Sequence, residues 1–515
     1  MEGGFAFVDW TILFIYMGVM LVIGALVSRQ QSDSQFFFLG GRSMPSWAVA
    51  LSVVATALSA ATFIGVPQMA FEGDFTYLAT NLGAMIAAFI IAFYFVPPIY
   101  AAGTVTIYGY LGQRYGESAR TAAGAMFLLG RLLSSGARLF MAGIGFSLML
   151  YGETARHHLI FAILLLGIVG TLYTVSGGIR AVIWTDVIQI IVMVVAALAA
   201  VAYLVSLIPL TPGQMVAELT SSQGVNKLKV LDFSLNFSNP FTFWSALFAM
   251  TIVSLSTHGV DQDMLQRVMT AKSPFHGGLA LIGSMAIAVP IILVFLIIGA
   301  LLHLFYTRPD LMGNAFPPDV VEDTRRLFPQ FVLQHLPVGL RGLTMAGLIA
   351  AAMSTFDSAI NAMASSLIAD LYVPLRAFLQ KMKSGQKEEE HLPDLAGSRF
   401  AVGLMGFLLT LFAIGAIYLQ EQGGESLINF ALGVMAFAQA PLLGVFCTAL
   451  FTRRGSAASV LTAFATGIGL VLLLQPYMLP KWAGFTLGWT WIWAVVSPVC
   501  FLICLCGSPG TEEIS

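Results

Sequence analysis

Ser354, Thr355, Asp357, Ser358 and Asn361 fall within two turns of one apolar stretch, AGLIAAAMSTFDSAINAMASS (346–366). Helical spacing puts Ser354, Asp357 and Ser358 on one face, at i, i+3 and i+4. Hydroxyl and carboxylate oxygens are hard ligands and suit a hard monovalent cation. A carboxylate in hydrocarbon costs about 3 kcal/mol on insertion scales, so Asp357 needs a partner or an ion. Asp186, in IWTDVIQ (183–189), is a second acidic candidate. Its alternative reading is an interfacial cap or an ion pair with Arg180.

Three other apolar stretches carry polar groups. LSVVATALSAATFIGVP (51–67) places Thr56, Ser59 and Thr62 at three-residue spacing among small residues, with Pro67 after them. Close helix packing is one explanation. The other is a broken helix whose freed carbonyls and hydroxyls hold a cation or a solute. FLLGRLLSSGARLFMAGIG (127–145) carries Arg131 and the deeper Arg138. A guanidinium there must face a cavity, a carbonyl cluster or an anion. Arg138 can clamp a carboxylate or serve a structural pair, and for the more interfacial Arg131 the structural pair leads. VSLSTHGVDQDMLQR (253–267) ends its apolar part in Ser254, Ser256, Thr257 and His258 before Gly259, which fits a second broken helix. His258 reads as a hydrogen-bonded side chain, with a proton site as the alternative.

The elements that position these groups are membrane helices. Hydrophobic residues make up 58% of the 515-residue chain, charged residues 10%, and mean hydropathy is +0.86. A soluble domain carries about 25% charged residues, so lipid is the solvent for most of this surface. About thirteen runs are long and apolar enough to span. They lie near 7–27, 47–69, 77–101, 123–150, 158–175, 181–207, 241–260, 276–305, 338–370, 399–420, 428–451, 456–475 and 484–507. The apolar part of the first run, Trp10 to Val27, follows Glu2 and Asp9 rather than a basic segment, so it reads as a retained helix and not a signal peptide. Lys and Arg gather in the loops on one side, including Arg29, Arg42, Arg114, Arg120, Arg267, Lys272, Arg376 and Lys381. The expected topology is therefore N-terminus outside and C-terminus cytoplasmic. The net charge of −2 leaves no basic footprint for nucleic acid. Cys447, Cys500, Cys504 and Cys506 read as packing residues, without metal-ligand spacing.

Five stretches give the chain a family resemblance. They are FFFLGGRSMPSW (36–47), SVVATALSAATFIGVP (52–67), SGGIRAVIWTDVIQ (176–189), DQDMLQRVMTAKS (261–273), and AGLIAAAMSTFDSAINA (346–362) with DLY (370–372). In these the chain resembles the sodium:solute symporter family, which includes sodium/proline, sodium/galactose and sodium/sialic acid transporters. The resemblance implies an all-α polytopic membrane protein with a LeuT-type core of two inverted five-helix repeats. The core would span 47–451, with repeats at about 47–207 and 241–451. Residues 1–46 would form an extra helix and first cytoplasmic loop, and 452–515 two further helices and a short tail.

The same resemblance implies residues. The main sodium site would use Ala55, Leu58, Ala351, Ser354 and Thr355. A second sodium would use Asp186, Asp357 and Ser358, although the sialic acid transporters have a serine where Asp357 stands. Ser59, Thr62, Tyr77, Asn81, Arg138, Ser254 and Thr257 would line the solute site. Galactose transporters carry charged and amide groups at the positions of Ala61 and Thr62, while GARLF (136–140) is similar to proline transporters. The expected function is sodium-driven uptake of a small organic anion or zwitterion by alternating access, across a plasma membrane of bacterial inner-membrane type. Sodium is the coupling ion, and no other cofactor and no enzymatic activity are expected. The alternatives are proton-coupled or sodium-independent transport through Asp186 and Asp357, and after that a membrane sensor. Substrate identity, ion count and oligomeric state are not legible.

Overall fold

A computed structural model describes residues 5–28, 33–221, 226–308, 310, 324–384, 392–423, 427–475 and 478–508. Among these the chain is helical, apart from turns and one isolated bridge between Met44 and Ala271. We label α1 (Phe7–Ser28), α2 (Ser46–Ala57), α3 (Ala60–Glu72), α4 (Thr76–Ala101), α5 (Ile107–Tyr115), α6 (Glu117–Tyr151) and α7 (Arg156–Leu207). There follow α8 (Met250–Gly259), α9 (Gln262–Met269), α10 (Pro274–Thr307), α11 (Leu327–His335), α12 (Leu340–Ser366), α13 (Leu395–Gly423), α14 (Leu427–Phe451), α15 (Ala457–Leu474) and α16 (Trp489–Leu505).

Eight described helices are long and apolar enough to cross a membrane, or nine when the bent pair α2/α3 counts as one span. This measure does not reach thirteen, for physical reasons that can be traced. The 52 residues of α7 extend about 78 Å at the helical rise, over twice a ~30 Å hydrocarbon core. The backbone leaves helical geometry at Gly178 (φ 56°, ψ −157°), so α7 holds two of the expected runs. The seventh run is a π turn (Ser245–Ala249) joined to the short α8, and α16 is an apolar helix of 17 residues. Large apolar side chains such as Phe14, Phe93, Leu129 and Phe407 stand exposed on the outside of the bundle.

Both polar runs expected to break do break. α2 and α3 bend by 64° across Leu58 and Ser59. α8 stops at Gly259, and Asp261 caps the start of α9 by accepting from the Asp263 amide at 2.9 Å. The quoted stretches also meet in space. Met44 N donates to Thr270 O at 3.1 Å, Gln266 Nε2 to Phe38 O at 2.9 Å, and Asn361 Nδ2 to Gln266 Oε1 at 3.2 Å. At α12, 94% of the most apolar window is buried, so this helix is the axis around which the others pack.

Candidate cation and solute sites

A helix end leaves its last carbonyls without intrahelical partners. At the end of α2, Leu58 N still bonds Val54 O, but Ser59 N turns away to Thr62 Oγ1 at 3.3 Å. The carbonyls from Ala55 onward are thereby released. α12 sets two hydroxyls against them. Ser354 Oγ lies 2.8 Å from Ala55 O and 3.2 Å from Ala351 O, and Thr355 Oγ1 lies 3.3 Å from Ala351 O and 3.5 Å from Thr56 O. All these residues are buried. Carbonyl and hydroxyl oxygens keep lone pairs free, so this is a neutral all-oxygen cluster of the kind a hard monovalent cation takes. Ala55, Ala351, Ser354 and Thr355 come together as expected. Leu58 ends α2, but the hydroxyls reach Thr56 instead.

The carboxylates gather one turn away. Ser358 Oγ donates to Ser354 O, and it lies 3.2 Å from Asp357 Oδ1 and 3.1 Å from Thr56 Oγ1. Tyr173 donates to Asp357 Oδ2 at 2.5 Å, and Ser52 donates to Asp186 Oδ2 at 2.5 Å. The Asp186 partner is therefore not Arg180, whose guanidinium lies over the Phe36 ring instead. Its charged neighbour is Arg267, Nη2 at 3.5 Å, which also donates to Ser358 Oγ. Arg267 Nε donates to Ser52 Oγ at 2.9 Å and Nη1 to Asp263 Oδ1 at 2.8 Å. Asp186, Asp263, Asp357 and Arg267 all have no exposed surface. Asp186 Oδ1 finds no hydrogen-bond partner among the described residues. Three carboxyl groups thus gather around one guanidinium in the protein interior.

The two arginines of α6 behave differently. Arg131 Nη2 pairs with Asp261 Oδ1 at 2.6 Å and Asp263 Oδ2 at 3.2 Å, the structural pair expected of it. Arg138 Nη2 lies 3.2 Å from the sulfur of Met435, its one hydrogen-bond partner among the described residues. Among the described residues it forms no ion pair, and it is partly accessible.

The elements carrying the remaining solute candidates pack together. Gly83 of α4 sits so close to α8 and the π turn before it that a Cβ would lie 2.3 Å from Ala246 O and 2.6 Å from Thr251 N. Gly145 of α6 likewise faces Ile64 of α3 and Leu348 of α12. Within this setting Ser59 and Thr62 form the capping box of α3. Asn81 Nδ2 donates to Leu78 O at 3.0 Å, and Tyr77 stands edge-on to Phe241 at 5.6 Å. Thr257 Oγ1 bonds His258 Nδ1 at 2.9 Å, and Ser254 offers its carbonyl to the same nitrogen at 3.3 Å. Apart from the Ser59–Thr62 pair, no side-chain hydrogen bond joins one of these seven candidates to another among the described residues.

Comparison with known proteins now decides the family, because the sodium:solute symporter profile matches residues 37–467. The chain belongs to the sodium:solute symporter family. It is thus a sodium-coupled secondary transporter. The sodium/sialic acid symporter NanT of Aliivibrio fischeri is 26% identical to it, over 92% of this chain and 88% of the relative. The sodium/iodide cotransporter of Homo sapiens is 27% identical over 89% and 68%. A solved sodium-coupled sialic acid symporter, substrate-bound and outward-open, superposes with a TM-score of 0.81 at 21% identity, covering 99% of this chain and 100% of that one. Mhp1, a nucleobase-cation-symport-1 family transporter, superposes at 0.54 and 15% identity, over 91% and 92%. The symporter thus has the LeuT-type fold.

Four residues of the symporter's carboxylate cluster escaped sequence reasoning: Ser52, Tyr173, Asp263 and Arg267. Ser52 looks like one more small residue in an apolar run. Tyr173 lies in a stretch with no acidic neighbour, and α1 braces it: a Cβ on Gly24 would be 2.7 Å from Tyr173 Cβ. Arg267 sits in a polar segment that reads as a loop. The one available signal was DQDMLQR itself, whose charges had no stated partners.

Proposed function

We infer that this symporter couples inward sodium movement to uptake of a small organic anion or zwitterion by alternating access. The observation that carries this reading is the placement of the Ser354 and Thr355 hydroxyls on the carbonyls released where α2 breaks. A cation there holds the first half of the broken helix to α12, and its loss lets them part. That is the differential contact a cation needs in order to shift a conformational equilibrium. Leu58 would add a carbonyl as the site closes. Asp186, Asp357 and Ser358 would hold a second sodium, which the excess of carboxylate over guanidinium supports.

Arg138 supports an anionic solute: a guanidinium inside the protein, bonded among the described residues to a thioether alone, is suited to a bidentate carboxylate. The relatives named for sialic acid and iodide also handle anions. Ser59, Thr62, Tyr77, Asn81, Ser254 and Thr257 would complete the solute site. Thirteen spans, an N-terminus outside, a C-terminus in the cytoplasm, a core at 47–451 and a bacterial plasma membrane belong to the same reading. A second reading, proton coupling at Asp357, draws on its 2.5 Å bond from Tyr173.

The test is thermal stability of the purified protein against a library of small solutes, in sodium and in potassium at equal ionic strength. A ligand of the folded state raises stability by mass action. Carboxylate solutes that stabilise only in sodium are expected. Equal stabilisation in potassium would remove sodium coupling and leave the proton reading.

A further inference from the structure

Between α7 and α8 the chain runs through LDFSLNFS (231–238), in which apolar and polar residues alternate. Residues 231–236 belong to no helix. In extended backbone such alternation sends the two sets of side chains to opposite faces. Three carbonyls tie the segment to the bundle. Phe243 N donates to Asp232 O at 2.7 Å, Trp244 Nε1 to Phe233 O at 3.3 Å, and Gly488 N to Phe237 O at 2.8 Å. The polar side chains bond locally. Asp232 pairs with Lys229 at 3.1 Å and accepts from Ser234 Oγ at 3.0 Å, and Asn236 Oδ1 accepts from Ser238 N at 3.0 Å. The apolar set is left uncovered: Leu231, Phe233, Leu235 and Phe237 are 43%, 61%, 73% and 51% exposed. A row of large apolar side chains held out from the surface marks an interaction site.

The two ends of the row say what meets it. At one end its rings join an aromatic ladder running onto the π turn before α8. Phe233 stands 4.9 Å from Phe243, Phe243 5.3 Å from Trp244, and Trp244 6.5 Å from Phe248, which is itself exposed on the side wall of the bundle. At the other end Phe237 meets Trp491 of α16 at 5.2 Å, and Ser238 Oγ donates to Thr486 O at 2.8 Å, next to the exposed Phe485. The row is thus continuous with the apolar wall of a membrane transporter, at the level where its helices begin. Aromatic residues gather at that level because their rings suit the boundary between hydrocarbon and headgroups. Residues 233–240 carry no charge, and the nearby Lys229 is turned to Asp232.

We propose that residues 231–237 form an interfacial strap whose partner is the lipid bilayer. Leu231, Phe233, Leu235 and Phe237 enter the upper acyl region of the near leaflet, and Asp232, Ser234 and Asn236 face water. Ser234 and Asn236 are exposed as well as the apolar row, as a segment lying in the boundary plane requires, with one face in lipid and the other in water. The strap anchors the chain where it enters α8. Phe241, four residues after Phe237, stands edge-on to Tyr77 of α4 at 5.6 Å, so the lipid contact sits beside the approach to the α4–α8 pair.

The experiment is a nitroxide scan of the full-length chain, its four cysteines replaced, in phosphatidylcholine vesicles. Leu231→Cys through Ser238→Cys each carry a spin label in turn, and Phe248→Cys gives a reference on the bundle wall. Power saturation measures collisions with oxygen, which concentrates in hydrocarbon, and with a water-soluble nickel chelate. The oxygen-to-nickel ratio should alternate with a period of two, rising to the Phe248→Cys value at 231, 233, 235 and 237 and falling between them. Nickel access at all eight positions would put the segment in water and overturn the strap. Low access to both reagents at the four apolar positions would mean that protein covers them, a second copy of this chain included, and would overturn it too. Leu235→Cys, at the most exposed position, is the variant least able to disturb folding and by itself separates these outcomes. The scan reads no transport, so its result does not depend on sodium coupling.

Discussion

Thr355 and Asp357 are two residues apart but do different electrostatic work. Thr355 offers a neutral oxygen to the break in α2, at 3.5 Å from Thr56 O. Thr355→Ala removes one cation ligand without unpairing a charge. Half-maximal uptake should then need about tenfold more sodium, with the melting temperature nearly unchanged; an unaltered sodium dependence takes Thr355 out of the site. Asp357→Asn keeps the shape and removes a charge. If the carboxylate holds sodium, the cooperativity of uptake with sodium falls and its pH profile stays put. If it carries a proton, the pH dependence disappears and the sodium dependence remains. Arg138→Lys replaces a fork by a point charge. Uptake of a carboxylate solute should drop by about two orders of magnitude while sodium still stabilises the protein, and normal affinity for the solute would end the carboxylate-clamp idea.

Among the elements, the bends matter more than the spans. Gly178 turns α7 with a positive φ, and a Cβ there would stand 2.6 Å from Phe37 O. Gly178→Ala should therefore destabilise by about 1–3 kcal/mol, read as a lowered melting temperature. Gly283 of α10 is the control, since its Cβ would find only Ala50 Cβ at 3.9 Å. Gly283→Ala should be neutral or slightly stabilising. Equal losses at both positions would show that the bend is not what Gly178 provides. Much at this scale was legible in advance. Serines, threonines and glycines interrupting apolar runs marked both broken helices, and a charge in hydrocarbon marked Asp186 and Asp357. What could not be read was which groups meet. Arg267 reaches Ser358 across 91 residues of chain and Ser52 across 215. Nothing local in a polar octapeptide such as α9 reveals that all of it will be buried. The capping of α3 by Ser59 and Thr62 is local chemistry, but it competes with a solute role that spacing alone cannot separate from it.

For the whole molecule, the charges that move across the membrane set what can be accumulated. The buried network joins Asp186, Asp261 and Asp263 to Arg131 and Arg267, and Asp357 to Arg267 through Ser358, so its fixed charges fall two short of neutrality when all are ionised. One sodium ion beside Asp186 and Asp357 would halve that excess, with the other in the neutral oxygen cluster, and Arg138 would balance a carboxylate solute. A cycle carrying two sodium ions and one monoanion moves one net positive charge inward. One charge crossing 100 mV is worth about 2.3 kcal/mol, or roughly fifty-fold in the accumulation ratio. In proteoliposomes with a fixed sodium gradient, imposing an inside-negative potential of that size should raise accumulation of a monoanionic solute by about that factor. A single coupled sodium would make the same cycle electroneutral, and accumulation would then ignore the potential. Asp357→Asn separates the two cases within one protein: if it removes the second site, the variant still transports but loses its response to voltage. A variant that keeps the full response places the second charge elsewhere and returns Asp357 to a purely structural bond with Tyr173.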